Sequence, residues 1–306
     1  MIVQLIHNPA SGTHHELRLD VLAQAFQACG AKVVKGHTTK EGRVDIAPNA
    51  DLICVSGGDG TLRLVIAAMQ AKEIGRPICI FPAGTVNLVA REIGYSSAPE
   101  TFASEVMQGY LAGETARLKE PVVASNYGPF VACLSAGPDG LAVANHSPAL
   151  KQKIGRSAYG LSFVQLFFQW IRPSFTIAIS HMNEARQDHR CEAFYIAKGR
   201  YFAGPWRLTP EAGLGRDYFH VILLKTATRW NFIRFMLSIA RGKNPENLSF
   251  VESYQARSIT INSTAGEDNI LYFQEDGDSM PAMPTTVKMT DYVAEYCLPF
   301  SEDSAA

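Results

Sequence analysis

The sequence contains no CxxC or CxxH pair: its six cysteines, Cys29, Cys54, Cys79, Cys133, Cys191 and Cys297, lie far apart. That spacing excludes a zinc ribbon and argues against a disulfide scaffold, so buried thiols in a reducing compartment are expected. No run reaches the roughly 18 uncharged apolar residues that a membrane-spanning helix needs. The opening MIVQLIHNPASG places no basic residues ahead of its short apolar run, so a soluble, cytoplasmic chain is expected. Low complexity is confined to the polar end SEDSAA, and no repeat recurs at solenoid spacing. A hydrophobic fraction of 47% excludes a disordered tail as well.

What is present is organised in two halves, and 306 residues are more than one core usually needs. Up to about residue 120, short β-branched runs (IVQLI, AKVVKGHTT, DLICVSG, PICIFPAG) alternate with helical periods (LRLDVLAQAFQACG, LRLVIAAMQA). Apolar strands between helices predict a parallel sheet covered on both faces, an α/β domain over 1–120. Beyond Pro121 the runs come at shorter spacing: PVVAS, FVACLSAG, FTIAISH, AFYIAKG, HVILLK, SITIN, ILYFQ, TVKMT and VAEYCL. This texture predicts an antiparallel, sandwich-like domain over 121–290, interrupted by helices at 151–172 and 229–242. Aromatic-rich stretches in both helices suit either core packing or a membrane interface.

Charge is unevenly placed although the formal total is only −1. Residues 151–257 carry 16 Lys and Arg against 7 Asp and Glu, whereas 258–306 carry 1 against 9. A basic middle suits an anionic partner, unless the acidic end folds back and cancels it. Lys151, Lys153, Arg156 and Arg172 flank an apolar helix with no acidic residue between 151 and 172. They predict transient, salt-sensitive docking of the second domain on anionic membrane. No nucleic-acid reader motif is recognisable, and nucleic acid is not an expected partner.

The most informative stretch is Ser56-Gly57-Gly58-Asp59-Gly60-Thr61, after one strand and before a helix. Glycines at such a turn let backbone N–H groups approach a phosphate whose charge the helix N-terminus favours. No lysine follows, so the stretch is not a P-loop, and it does not fit G-x-G-x-x-G. The plain alternative is a tight turn with Asp59 as a cap. A second loop of the kind, Pro82-Ala83-Gly84-Thr85-Val86-Asn87, and a third, Asn8-Pro9-Ala10-Ser11-Gly12, also follow apolar strands. Three such loops belong to one sheet edge, the edge at which open α/β sheets bind ligands.

In this order and spacing, NPxSG, GGDGT and PxGTxN followed by Ala90-Arg91-Glu92-Ile93-Gly94 resemble the diacylglycerol kinase catalytic domain superfamily. That superfamily of lipid kinases takes in bacterial diacylglycerol kinases and sphingosine kinases and is distantly related to NAD kinases. The resemblance extends through SAGPDG at 135–140, Ala158-Tyr159 and the Asp276-Gly277-Asp278 turn, and so covers essentially the whole chain.

The resemblance implies an N-terminal doubly wound, NAD kinase-like α/β domain and a C-terminal antiparallel β-sandwich, with closing strands at 291–300 returning to the first domain. It implies ATP-dependent, Mg²⁺-assisted phosphorylation of a lipid hydroxyl, diacylglycerol or a related alcohol at a membrane surface, with the nucleotide in the interdomain cleft. Matched by position, the nucleotide-binding residues are Asn8, Ser11, Gly12, Thr38 or Thr39, Gly57, Gly58, Asp59, Gly60, Thr61, Gly84, Thr85, Asn87 and Asp278. Asp276 matches the aspartate that acts as general base, and Asp59 is implied in metal binding or substrate orientation. A hairpin turn is the plain reading of Asp276-Gly277.

Three departures bear on function. Leu88 stands where relatives often carry Asp, the D-G-E turn ends in Asp278, and a P-x-A…D-G-L-L-D stretch has become Pro210-Glu211-Ala212 followed by Arg216-Asp217-Tyr218-Phe219-His220. They keep open a kinase for a soluble acceptor and a nucleotide- or lipid-binding protein that has lost catalysis.

Overall fold

Strands apolar on both faces can bury both surfaces only beneath helices on either side. In the computed structural model, β1 (Ile2–His7), β3 (Leu52–Gly57) and β4 (Ile78–Pro82) have buried interiors, while β2 (Lys32–His37) is half-exposed at the edge. The structure describes residues 1–9, 16–138, 170, 172–180, 187–263, 272–281 and 284–300. The helix expected at 151–172 therefore lies outside the described residues, apart from Trp170 and Arg172.

The chain forms two compact units, Met1–Val122 with Asp291–Ala306, and Val123–Thr290. In the first, parallel strands run β2-β1-β3-β4, interleaved with α1 (Glu16–Ala28), α2 (Asp59–Ala71), α3 (Leu88–Ile93) and α4 (Pro99–Leu111). Phe102 of α4 meets Phe26, Phe81 and Tyr95 edge-on at centroid separations of 6.1, 5.2 and 5.3 Å, the geometry aromatic quadrupoles favour. The last strand, β18 (Thr285–Cys297), enters this unit at Asp291 and lies parallel to β4, Tyr296 beside Ile78. Gly109 of α4 makes room for the chain end, since a Cβ there would stand 2.0 Å from the Leu298 carbonyl oxygen.

The second unit is antiparallel, and its short ladders pair the end of β5 (Arg117–Ser125) with β6 (Gly128–Phe130) and β11 (Tyr201–Phe202) with β12 (Trp206–Arg207). One sheet pairs the N-terminal part of β18 with β15 (Ser258–Ser263), then β8 (Phe175–Ser180) and β9 (Gln187–Cys191). The other runs β14 (Val251–Ala256), β13 (Phe219–Leu224), β10 (Ala193–Ala197), β7 (Cys133–Ala136), β16 (Tyr272–Glu275) and β17 (Asp278–Pro281). Phe175, Ile177, Ile259 and Ile261 of the first sheet pack with Phe194, Ile196, Phe219 and Val221 of the second in one core. Because side chains alternate along a strand, Ala193 and Tyr195 of β10 and Ile222 and Leu224 of β13 face a second core. That core is closed by α5 (Arg229–Ala240) through Phe232, Phe235 and Ile239. Thr228 caps α5, its side chain accepting from the Asn231 N–H.

The doubly wound α/β unit and the antiparallel sandwich are those expected. The separate runs TVKMT and VAEYCL are in fact one 13-residue strand, β18. The polar strand β9 (QDHRC), at a sheet edge, carries no hydrophobic period and lies outside the expected strand runs. None of the six cysteines is in a disulfide, and every one except Cys29 is buried.

Candidate functional site

Parallel register decides which loops meet. His7 lies beside His37 and Ser56, and Gly57 beside Pro82, so β1, β2, β3 and β4 end at one edge. Asn8, Thr38, Gly58 and Gly84 therefore belong to a single carboxyl-terminal rim. With strand order β2-β1-β3-β4, the connection from β1 turns one way and that from β3 the other. Loops that diverge at such a switch point leave a crevice where open α/β sheets bind ligands.

Two of these loops touch through backbone. The Gly57 carbonyl accepts the N–H groups of Ala83 and Gly84, both at 3.2 Å. A Cβ on Gly84 would stand 2.5 Å from the Gly58 Cα and 2.6 Å from Asn87 Oδ1, and one on Gly57 would stand 2.7 Å from the Thr61 side chain. Glycine is needed here for close approach, because Gly58 itself has extended backbone (φ −105°, ψ −173°). Asn87, left-handed at φ 55°, closes the second loop: its Nδ2 donates to the Gly84 carbonyl at 2.7 Å, and the Gly84 N–H donates to its Oδ1 at 2.9 Å.

Asp59, in the first turn of α2, is buried and turned towards α3. Its carboxylate accepts the Leu88 N–H at 2.8 Å and the Val89 N–H at 3.0 Å. It thereby serves as the cap that Asn87, occupied with Gly84, does not provide. Burial raises its pKa above the ordinary carboxylate value, opposed by the Val89 and Leu88 N–H groups. The cap reading of Asp59 is thus realised on a different helix from the one it begins.

Thr61 and Thr38 are buried, and Thr38 Oγ1 has no hydrogen-bond partner. Thr39 Oγ1 accepts the Arg43 N–H at 3.2 Å and shapes the loop after β2. Gly60 and Thr85 are half-buried on the rim, as is Asn8, while Ser11 and Gly12 lie outside the described residues.

In the second unit Asp276 (φ 49°) and Gly277 (φ 89°) form the two-residue turn joining β16 to β17. Both residues are left-handed, as a tight hairpin requires. The Asp276 carboxylate accepts N–H groups from Val131 at 2.8 Å, Ala132 at 2.9 Å and Cys133 at 3.2 Å. Both the hairpin and a fixed carboxylate are therefore present at one residue. Asp278 is exposed at the start of β17. Glu275 is buried and accepts from Ser125 Oγ at 2.8 Å, a polar contact no sequence pattern announced.

Among the described residues no group of three or more His, Cys, Asp or Glu side chains could hold a metal ion. With the Asp59 carboxylate directed at α3, these residues do not build a Mg²⁺ cage. Among the described residues, no helix is long and apolar enough to cross a membrane. Of the cations expected around a docking helix, Lys151, Lys153 and Arg156 lie outside the described residues, and Arg172 is paired with Glu192 at 2.8 and 2.7 Å.

A doubly wound unit with touching glycine loops at its switch-point rim, followed in sequence by an antiparallel sandwich, defines the NAD kinase-like class of two-domain proteins. Within it, the chain belongs to the diacylglycerol kinase catalytic domain superfamily. Residues 3–114 match the diacylglycerol kinase catalytic domain and residues 132–295 the YegS C-terminal NAD kinase beta sandwich-like domain. The chain is 26% identical over 268 residues to a diacylglycerol kinase of Staphylococcus saprophyticus, covering 85% of this chain and 84% of that one. It is 23% identical over 268 residues to a diacylglycerol kinase of Bacillus subtilis, covering 85% of each. A crystal structure of a diacylglycerol kinase from Bacillus anthracis has the same fold, with a TM-score of 0.67 at 18% identity over 97% of this chain and 96% of that one.

Proposed function

We propose that the protein transfers the γ-phosphoryl group of ATP to the hydroxyl of a lipid alcohol of the diacylglycerol class. The observation that carries this reading is the backbone contact of Gly58 with Gly84 at the switch-point rim, in a chain whose curated relatives are named diacylglycerol kinase. Gly57, Gly58 and Gly60 at the N-terminus of α2, with Gly84 beside them, let amide groups and the helix dipole face phosphate oxygens. Thr61 and Thr85 add hydroxyls on the same loops, and Asp59 holds α3 in place rather than touching the reacting atoms. The lipid oxygen attacks the γ-phosphorus, the bond to the β-phosphate oxygen breaks, and ADP leaves. Asp276 takes the hydroxyl proton, its carboxylate oriented by the Val131, Ala132 and Cys133 N–H groups. A Mg²⁺ ion arriving with the nucleotide would neutralise phosphate charge.

A second reading, nucleotide binding without turnover, is favoured by one observation: the Asp59 and Asp276 carboxylates are both already bound by backbone N–H groups. One experiment separates the two. With γ-labelled ATP and diacylglycerol in mixed micelles, phosphatidate is expected from the native protein. Asp276→Asn should lower kcat on the order of a hundredfold with the ATP dissociation constant little changed. Label transfer to no lipid alcohol, with ATP still bound, would leave the binding protein as the better account.

A further inference from the structure

We infer that α5 is a docking surface for an anionic bilayer. Its inner stripe, Phe232, Phe235 and Ile239, is buried in the second core of the sandwich unit. A helix that has met its burial requirement on one face is expected to be polar on the other. Here the outer face carries Trp230, 71% exposed, and Leu237, 43% exposed, two turns apart on one line. Around them stand Arg229, Arg234 and Arg241, all exposed, with Lys243 just beyond. No acidic residue occurs from Arg229 to Pro245. Arg234 lies with its guanidinium 5.4 Å from the centre of the Phe250 ring, which fixes it at the rim.

Exposed indole and leucine at the centre with cations at the margin match a lipid interface: the apolar tips enter the headgroup region and the cations meet lipid phosphates. Charge argues against a second copy, since an isologous contact would set these arginines against their own counterparts. The face is also rigid. Trp170 packs edge-on against Phe232 at 5.5 Å and donates from Nε1 to the Ala227 carbonyl at 2.8 Å, while Thr228 caps the helix. Docking therefore needs no folding step. Elsewhere in the basic segment Arg172, Lys225 and Arg257 pair with Glu192, Glu252 and Asp217.

The inference deepens the lipid-kinase reading and rests on it for the choice of a bilayer as partner. Its test is co-sedimentation of the full-length protein, without nucleotide, with phosphatidylcholine vesicles and with vesicles containing about one third phosphatidylglycerol. Binding is expected only to the anionic vesicles, falling roughly tenfold or more when salt is raised through the range that shortens the Debye length to a few ångströms. Trp230→Ala and Arg241→Glu should each weaken it about tenfold, whereas Arg76→Glu, an equal charge change on the first unit, should not. Equal binding to neutral vesicles, or unchanged binding by both α5 variants, would overturn the inference. So would loss, in those variants, of self-association or of single-stranded nucleic-acid binding with vesicle binding intact. Turnover of a short-chain, water-soluble acceptor is read in parallel. If the variants keep it and native vesicle binding is absent, only the docking face fails; if vesicle binding holds and no acceptor is phosphorylated, only the kinase reading fails.

Discussion

Gly84 is in backbone contact with Gly58, close enough that a Cβ on Gly84 would stand 2.5 Å from the Gly58 Cα and 2.9 Å from its nitrogen. The loops after β3 and β4 therefore form one surface, and neither can shift without the other.

Gly84→Ala should force them apart. The expected cost is about 1 to 3 kcal/mol of stability and at least a roughly tenfold loss of ATP affinity, because amide positions at a phosphate are sensitive to small displacements. Gly75→Ala, where nothing lies within 4 Å, is the control. Urea midpoints and ATP titrations measure both; an unchanged ATP affinity in the Gly84 variant would remove the loop pair from the nucleotide site.

Asp59→Asn should act through α3. One carboxylate oxygen becomes an NH₂ group facing the N–H of Leu88 or Val89, leaving a buried donor without an acceptor at a cost of about 1 to 3 kcal/mol. ATP affinity should fall with stability, as expected of a positioning residue. A variant of native stability that binds ATP but has no turnover would instead make Asp59 part of the chemistry.

His220 predicts a pH response. It is buried on β13, and Tyr218 lies edge-on at 5.4 Å. Burial lowers its pKa from the ordinary 6.5, against the charges of Glu211 and Glu246, which raise it. The unfolded chain thus takes up a proton at a higher pH than the folded one, so stability is full above pH 6.5 and declines as pH falls through it. His220→Phe should flatten that decline. Urea midpoints at about pH 8 and about pH 5.5 test it; an identical decline in the variant would place the titration elsewhere.

Much of this was readable from local pattern. Uninterrupted β-branched runs followed by glycine and a helical period announce buried parallel strands and their rim loops, because strand burial and helix period act over a few residues. The hairpin at Asp276-Gly277 was legible for the same reason, since a two-residue turn demands left-handed backbone. The edge strand β9 was not, as it owes its place to a neighbour's unpaired backbone and carries no apolar alternation.

By itself, then, the sequence determined the two structural textures, the rim on which the glycine loops stand and the family to which those loops belong. Tertiary structure alone decided which N–H groups the acidic residues Asp59 and Asp276 meet. Asp59 is 29 and 30 residues from the N–H groups it binds, and Asp276 is 143 to 145 residues from its own. Backbone donors look alike in every residue but proline, so no pattern of side chains names the amides a carboxylate will meet. Strand register and helix packing bring them together, and with that decide that Asp59 caps α3 and that Asp276 is pinned by the amides of residues 131–133.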